Sequence, residues 1–294
     1  MTANPIRLLI AGCGDLGMRV AHLLLQHSNH CVWGIRRTVN TDTEIETDNH
    51  QPPRFFWNIA DLSKPETLKM LPEGITHILF SAAPNARTEA EYRAVYFNGL
   101  QNIVRSANNP SLKRILFVSS TAVYGEHGED WVDEETPVSP KNFNGKVLLE
   151  SEQWLSQFGQ KHGLLTIALR LSGIYGPGRT YLLDKLKLGQ AGAPSSPIHW
   201  ANRIHVEDAA NAIVHLMDLP APEGTYLITD STPLPMRELY ETLAKQIGGP
   251  IPPETAAPSF VGSKKLNNAR LRASGFELKW PDSRDGYLSI IQSG

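Results

Sequence analysis

Arg7-Leu-Leu-Ile-Ala-Gly12-Cys-Gly14-Asp-Leu-Gly17-Met-Arg-Val-Ala-His-Leu-Leu-Leu25 is the stretch on which the rest of the chain is organised. Leu8 to Ala11 is a short apolar run with the character of a buried strand. From Val20 to Leu25 the apolar residues recur at helical spacing instead. Between them lies Gly-x-Gly-x-x-Gly. The first glycine permits a tight turn, the second lets backbone approach a pyrophosphate, and the third lets the helix pack closely on the strand. The helix N-terminus then offers free N–H groups to phosphate oxygens. In a strand-to-helix setting this pattern is the dinucleotide-binding fingerprint, with Gly12, Gly14 and Gly17 as its frame and Asp15 and Leu16 as the remaining loop contacts.

The chain has 294 residues, 41% of them hydrophobic and 20% charged, which suffices to bury a large core. A formal net charge of -2 and a pI near 6.6 leave no basic footprint for nucleic acid or an anionic membrane. The N-terminal apolar run is broken by Gly12-Cys-Gly-Asp15 and no run reaches the roughly 20 residues of a membrane span. A cytoplasmic location is the expectation. Cys13 lies past the end of the first strand and Cys31 at the start of the second, about 15 Å apart if the strands are parallel neighbours, so no disulfide is expected. The ten histidines show no metal-ligand spacing, and no metal is expected.

Read in order, Cys31 to Ile35 is a second strand ending in Arg36-Arg37. No acid occurs from Cys31 to Thr41. An acid there would bind the adenosine ribose of NAD, whereas arginine accommodates the 2′-phosphate of NADP, so NADP is favoured over NAD. Thr41 to Pro53 reads as a surface loop, Phe55 to Ala60 as a third strand, Lys64 to Leu71 as a short helix and Thr76 to Ala83 as a fourth strand. Thr88 to Ala107 has the apolar spacing of one amphipathic helix. A fifth strand, Arg114 to Val118, leads into Ser119-Ser-Thr-Ala-Val-Tyr-Gly125, followed by a helix from Gly145 to Lys161 and a sixth strand from Leu164 to Leu169. This alternation predicts an α/β fold, a Rossmann-type doubly wound parallel sheet in the order 3-2-1-4-5-6. Residues 1-175 are expected to form that domain. Residues 176-294, with proline-rich punctuation and one strand at Tyr226 to Thr229, are expected to form a smaller C-terminal substrate-binding cap, with segments returning to the first domain.

Four motifs fall in order: Gly12-Cys-Gly-Asp-Leu-Gly17, Ser119 to Gly125, Leu169-Arg-Leu-Ser-Gly-Ile-Tyr-Gly-Pro-Gly178 and Arg203-Ile-His-Val-Glu-Asp208. Together they resemble the extended and atypical short-chain dehydrogenase/reductases, the NAD-dependent epimerase/dehydratase group, over nearly the whole chain. The resemblance implies NAD or NADP as cofactor and a small polar substrate such as a nucleotide sugar. It also implies a monomer or a homodimer paired through the helices after strands four and five. It places the catalytic serine at Ser120. Lys146 is placed where its ammonium would bind the nicotinamide ribose and depress the pKa of a nearby phenol. Asp61, with Leu62, is the candidate for adenine contact, and Ala82 completes the cofactor-binding set. Where the group carries its catalytic tyrosine, four residues before the lysine, stands Asn142.

No tyrosine occurs between Tyr124 and Tyr175, so no shift of register restores one. An amide has no titratable proton near neutral pH and cannot replace a phenol as acid or base. The alternatives are a water held by Ser120, Tyr124 or Tyr175 from their loops, and His205 from the cap. Tyr124, Arg179 and Arg203 are the candidate substrate contacts, the arginines because guanidinium grips phosphate bidentately. Trp131, Trp154 and Trp200 read as packing residues. Two functions remain open: an NAD(P)-dependent epimerase, dehydratase or oxidoreductase, and a non-catalytic NADP(H)-binding sensor.

Overall fold

The computed structural model describes residues 5–26, 29–38, 54–258 and 260–293. The expected loop at Thr41 to Pro53 lies outside them. Leu8, Leu9, Ile10 and Ala11 are fully buried, as suits a strand covered on both faces, and form β1 (Arg7–Ala11). The strands of the same sheet follow as β2 (Cys31–Arg36), β3 (Phe55–Ile59), β4 (His77–Phe80), β5 (Arg114–Ser120), β6 (Leu165–Leu171) and β7 (Thr225–Ile228). Their order is β7-β6-β5-β4-β1-β2-β3. The pairs β1/β2, β1/β4, β2/β3 and β4/β5 are all parallel, with Ala11 opposite both Ile35 and Phe80.

The expected order 3-2-1-4-5-6 is therefore present, and a seventh strand extends it. That strand is the segment read from sequence as belonging to the cap. Tyr226, Leu227 and Ile228 are all buried, and such an unbroken apolar run suits a covered sheet strand. The expected helix at 64–71 shrinks to one 3₁₀ turn, Pro65–Leu68. The single helix expected over 88–107 is wound in three pieces: α-helix at Glu89–Tyr92, π-helix at Arg93–Gly99 and α-helix at Leu100–Ser106.

The chain divides into two compact units, each assembled from three stretches. The first comprises Met1–Ser119, Lys146–Leu169 and Ile213–Gly224. Within it, α1 (Asp15–Leu25) turns Leu16, Val20, Ala21 and Leu24 inward. The buried Arg114 donates from Nη1 to the carbonyls of Leu216 and Met217, both at 2.6 Å, and from Nη2 to that of Leu219 at 2.7 Å. A cation thus satisfies carbonyls that the end of helix Val206–Asp218 leaves without partners.

The second unit comprises Ser120–Gly145, Arg170–Ala212 and Thr225–Gly294. Its core gathers Tyr175, Leu183, Leu186, Leu234, Leu239, Leu243 and Tyr287. Short strand pairs tie its loops: Gly173–Tyr175 with Arg203–His205, Trp200–Ala201 with Leu234–Pro235, and Trp131–Val132 with Lys265–Leu266.

Candidate functional site

Each glycine of the first loop is required for a different reason. Gly12 has φ 76°, in the left-handed region, and a Cβ on it would lie 2.2 Å from Ala82 Cα. No side chain fits there. The loop is pinned by Gly12 and Cys13 N–H bonds to the Ile35 carbonyl, at 3.2 and 3.0 Å, and by Ser81 Oγ donating to the Gly12 carbonyl at 3.1 Å. Gly17 would set a Cβ 2.9 Å from Ile10 Cγ2 and 3.4 Å from Cys13 Sγ, so it permits α1 to lie close on β1. Gly14, the N-cap of α1, differs from both. The nearest atom to a Cβ there is the Gly12 carbonyl oxygen at 3.9 Å, so that side of the loop is open where the first-turn N–H groups of the helix emerge. A tight turn, a close helix and an open backbone platform are what a dinucleotide pyrophosphate requires, and these residues fit it. Asp15 opens the helix and pairs with Arg19 at 2.8 Å, while Leu16 is buried beneath.

Arg36 and Arg37 leave the end of β2 in different ways. The Arg36 guanidinium lies over the Trp57 ring, 5.2 Å from its centroid, whereas Arg37 Nη2 donates to Asn85 Oδ1 at 2.9 Å. Asp61 Oδ1 accepts from Ser63 Oγ at 2.7 Å and Ser63 N at 3.0 Å. The Ser63 hydroxyl chiefly, with Lys64 and Arg37 assisting, holds its carboxyl below the usual range. Arg37 and Asn85 thus form a polar pair whose charge also reaches Asp61, and Asn85 is not evident from sequence because it belongs to no motif. Leu62 is buried. Its carbonyl accepts from Asn102 Nδ2 at 2.9 Å, and Gly99 comes close enough that a Cβ there would stand 3.2 Å from Leu62 Cβ.

Lys146 is exposed on the first turn of the helix Phe143–His162. Asn142 is half-buried and directly precedes that helix, which starts two residues earlier than expected. In the first unit, Ser119 Oγ donates to the buried Glu152 Oε1 at 2.5 Å. In the second, Ser120 Oγ accepts from Ala122 N at 3.2 Å and so caps the 3₁₀ turn Thr121–Tyr124. A Cβ on Gly125, φ 75°, would be 2.3 Å from the Ser139 carbonyl oxygen, and one on Gly145 would be 2.5 Å from that of Ala122. These approaches bring the turn that starts at Ser120 against the stretch that carries Asn142.

Tyr124 is fully buried, and its phenol oxygen accepts from Arg170 Nη1 at 2.7 Å, so it braces the turn from within. Tyr175 stacks on Tyr287 at 4.1 Å and meets His205 edge-on at 5.1 Å. Its hydroxyl is buried without a hydrogen-bond partner among the described residues, and burial pushes its pKa up, which makes it a poor proton donor or acceptor near neutrality. His205 is equally buried, against Trp280. Arg179 closes the turn Gly176–Arg179 through its N–H to the Gly176 carbonyl. Arg203 Nη1 reaches the Asn202 carbonyl at 3.4 Å, and its Nε is buried without a hydrogen-bond partner among the described residues. Asp208 accepts from the N–H groups of Lys279 and Trp280, both at 2.9 Å, so this end of the fourth motif is an anchor for backbone. Trp131 departs from the packing role expected of it: it is 57% exposed, with Lys265 Nζ 5.4 Å from its ring centroid.

The sequence profile of the NAD dependent epimerase/dehydratase family matches residues 8–228, well over half of the chain. The chain belongs to that family. Protein YeeZ of Escherichia coli strain K12 is 34% identical over 190 residues, 64% of this chain and 66% of YeeZ, just under two thirds of that relative's length. A solved structure from Methylobacillus flagellatus, provisionally named an NAD-dependent epimerase/dehydratase, is 35% identical and covers 99% of both chains with a TM-score of 0.79. UDP-glucose 4-epimerase of Thermus thermophilus, solved with NAD, has a TM-score of 0.77 over 98% of both chains. At 21% identity it supports the fold alone. Among the described residues no helix is long and apolar enough to cross a membrane, and no cluster of three or more His, Cys, Asp or Glu could hold a metal ion.

Proposed function

We propose that the chain is a cytoplasmic NAD(P)-dependent epimerase, dehydratase or oxidoreductase of the short-chain type, acting on a small polar substrate of nucleotide-sugar class and atypical in its acid–base residue. The observation that carries this reading is the Gly12–Gly17 loop, closed by packing at Gly12 and Gly17 and open only at Gly14. A bound nicotinamide supplies a hydride donor or acceptor. In this proposal the loop with Asp15 and Leu16 holds the pyrophosphate, Asp61 and Leu62 meet the adenosine half, and Ala82 backs the loop. Arg36 and Arg37 receive a 2′-phosphate, which favours NADP over NAD. Lys146 offers its ammonium to the nicotinamide ribose. Ser120 donates to a substrate oxygen, and Arg179 and Arg203 draw an anionic substrate. Asn142 orients through its amide and leaves proton transfer to another group, such as a water.

The name of the matched family supports the cofactor class, and the same epimerase/dehydratase name on the Methylobacillus structure supports that reaction class here. A second reading, a sensor that binds NADP(H) without turnover, draws on Asn142 together with the buried phenols of Tyr124 and Tyr175. Calorimetric titration separates these possibilities. The native protein should bind NADP more tightly than NAD, Gly14→Val should weaken both by more than tenfold, and Arg36→Ala with Arg37→Ala should remove the difference, at a cost of about 1.5–3 kcal/mol for NADP. Unchanged affinity in a folded Gly14→Val overturns the site. Tight binding with no turnover on a panel of carbonyl and nucleotide-sugar substrates selects the sensor.

A further inference from the structure

Lys264 is 1% exposed. Its Nζ donates to two backbone carbonyls, Gly262 at 2.8 Å and Gly125 at 3.1 Å, and no carboxylate stands within ion-pair distance among the described residues. Glu126 influences it from farther away while its own oxygens accept from Gly128 N at 2.9 Å and Ser263 N at 2.8 Å. Burying an ammonium without a carboxylate partner is costly, and it pushes this group down to about 8. An apolar side chain would fill the space at less cost. What an apolar side chain cannot do is hold together two carbonyl oxygens that converge on one point. The two backbones touch here: a Cβ on Gly262 would be 2.2 Å from the Gly125 oxygen. Without a cation between them, two half-buried carbonyl dipoles would face each other with their negative ends.

Gly125 ends the turn that begins at Ser120, and the turn is also packed by Ser139, Pro140 and Gly145. We propose that Lys264 is a positioning residue, which by gripping the Gly125 and Gly262 carbonyls fixes the Ser120–Gly125 turn against the stretch bearing Asn142. Its bearing on catalysis rests on the reading of Ser120 as a substrate contact. The clamp itself does not.

The test is amide hydrogen exchange by mass spectrometry on the full chain with Lys264→Met and Lys264→Arg. Peptides spanning 119–128 should exchange at least tenfold faster in Lys264→Met, those from β1 and α1 should be unchanged, and Lys264→Arg should restore most of the protection. Unchanged protection of 119–128 in folded Lys264→Met overturns the clamp. If that variant does not fold, Lys264→Gln is read by the same two outcomes. Where the native protein turns over a substrate, Lys264→Met should lower kcat at least tenfold with KM within threefold. A loosened turn in a protein that turns over nothing leaves the clamp standing and removes the catalytic reading alone.

Discussion

Asn142 offers a donor and an acceptor but no proton that moves near neutrality, so the residue before helix Phe143–His162 can orient a substrate and not ionise it. A phenol at this place would, on the proposed function, have Lys146, on the first turn of that helix, as the partner that lowers its pKa. On the proposed function, Asn142→Tyr should therefore create or raise cofactor turnover on carbonyl and nucleotide-sugar substrates. The gain should fall within the roughly 10²–10⁴-fold that a placed acid–base group contributes. Lys146→Ala in the same background should abolish the gain. Strong native turnover that survives Lys146→Ala would show that the proton moves through another group.

Elements built from apolar runs were legible in the sequence, and elements that depend on a buried charge were not. β1 to β5 fall where runs such as Leu8–Ala11 and Ile115–Val118 put them, and the glycine loop was readable because strand, spacing and helix all agree. The expected sixth strand stopped at Leu169 because Arg170 interrupts the run. The strand continues to Leu171, with the guanidinium buried on the Tyr124 phenol. Lys264 was illegible for the same reason, since a lone charge reads as surface until its carbonyl partners are seen. Spacings of three and four in Tyr92 to Val104 suit an α-helix and a wider winding alike, so the π-helical Arg93–Gly99 could not be told from its neighbours. Asp208 gives a test at this scale: it is buried on helix Val206–Asp218 and anchors Lys279 and Trp280 through both oxygens. Asp208→Asn turns an amide N–H₂ toward one of those N–H groups and should cost about 2–3 kcal/mol in urea unfolding. A loss below about 0.5 kcal/mol would show the anchor to be dispensable.

Across the molecule, stability should respond to pH through groups that folding keeps neutral. His77 is buried beside Arg114 and Lys113, and burial chiefly, with those cations, pushes it down to about 4. An unfolded chain would protonate the same ring near 6.5. Above that pH both states are neutral and the group contributes nothing. As pH falls from 6.5 to 4 the unfolded state alone takes up the proton, so stability is lost, by about 3 kcal/mol in all. His77→Gln should flatten this part of the profile, and equal slopes in the two proteins would contradict it. The thiol of Cys13 reports on a different opening. It is wholly buried under the glycine loop, its Sγ 3.6 Å from Met18 Sδ, and burial pushes its pKa up to about 12. The folded protein therefore holds almost no thiolate there, and an alkylating reagent can react only when the loop lifts. Cys31, half-buried, supplies a faster internal standard. The molecule thus carries its own stopwatch for the cradle: iodoacetamide should label Cys31 first and Cys13 slowly. A saturating dinucleotide should lengthen the second phase at least tenfold and leave the first alone, and an unaltered second phase would mean that the loop holds nothing.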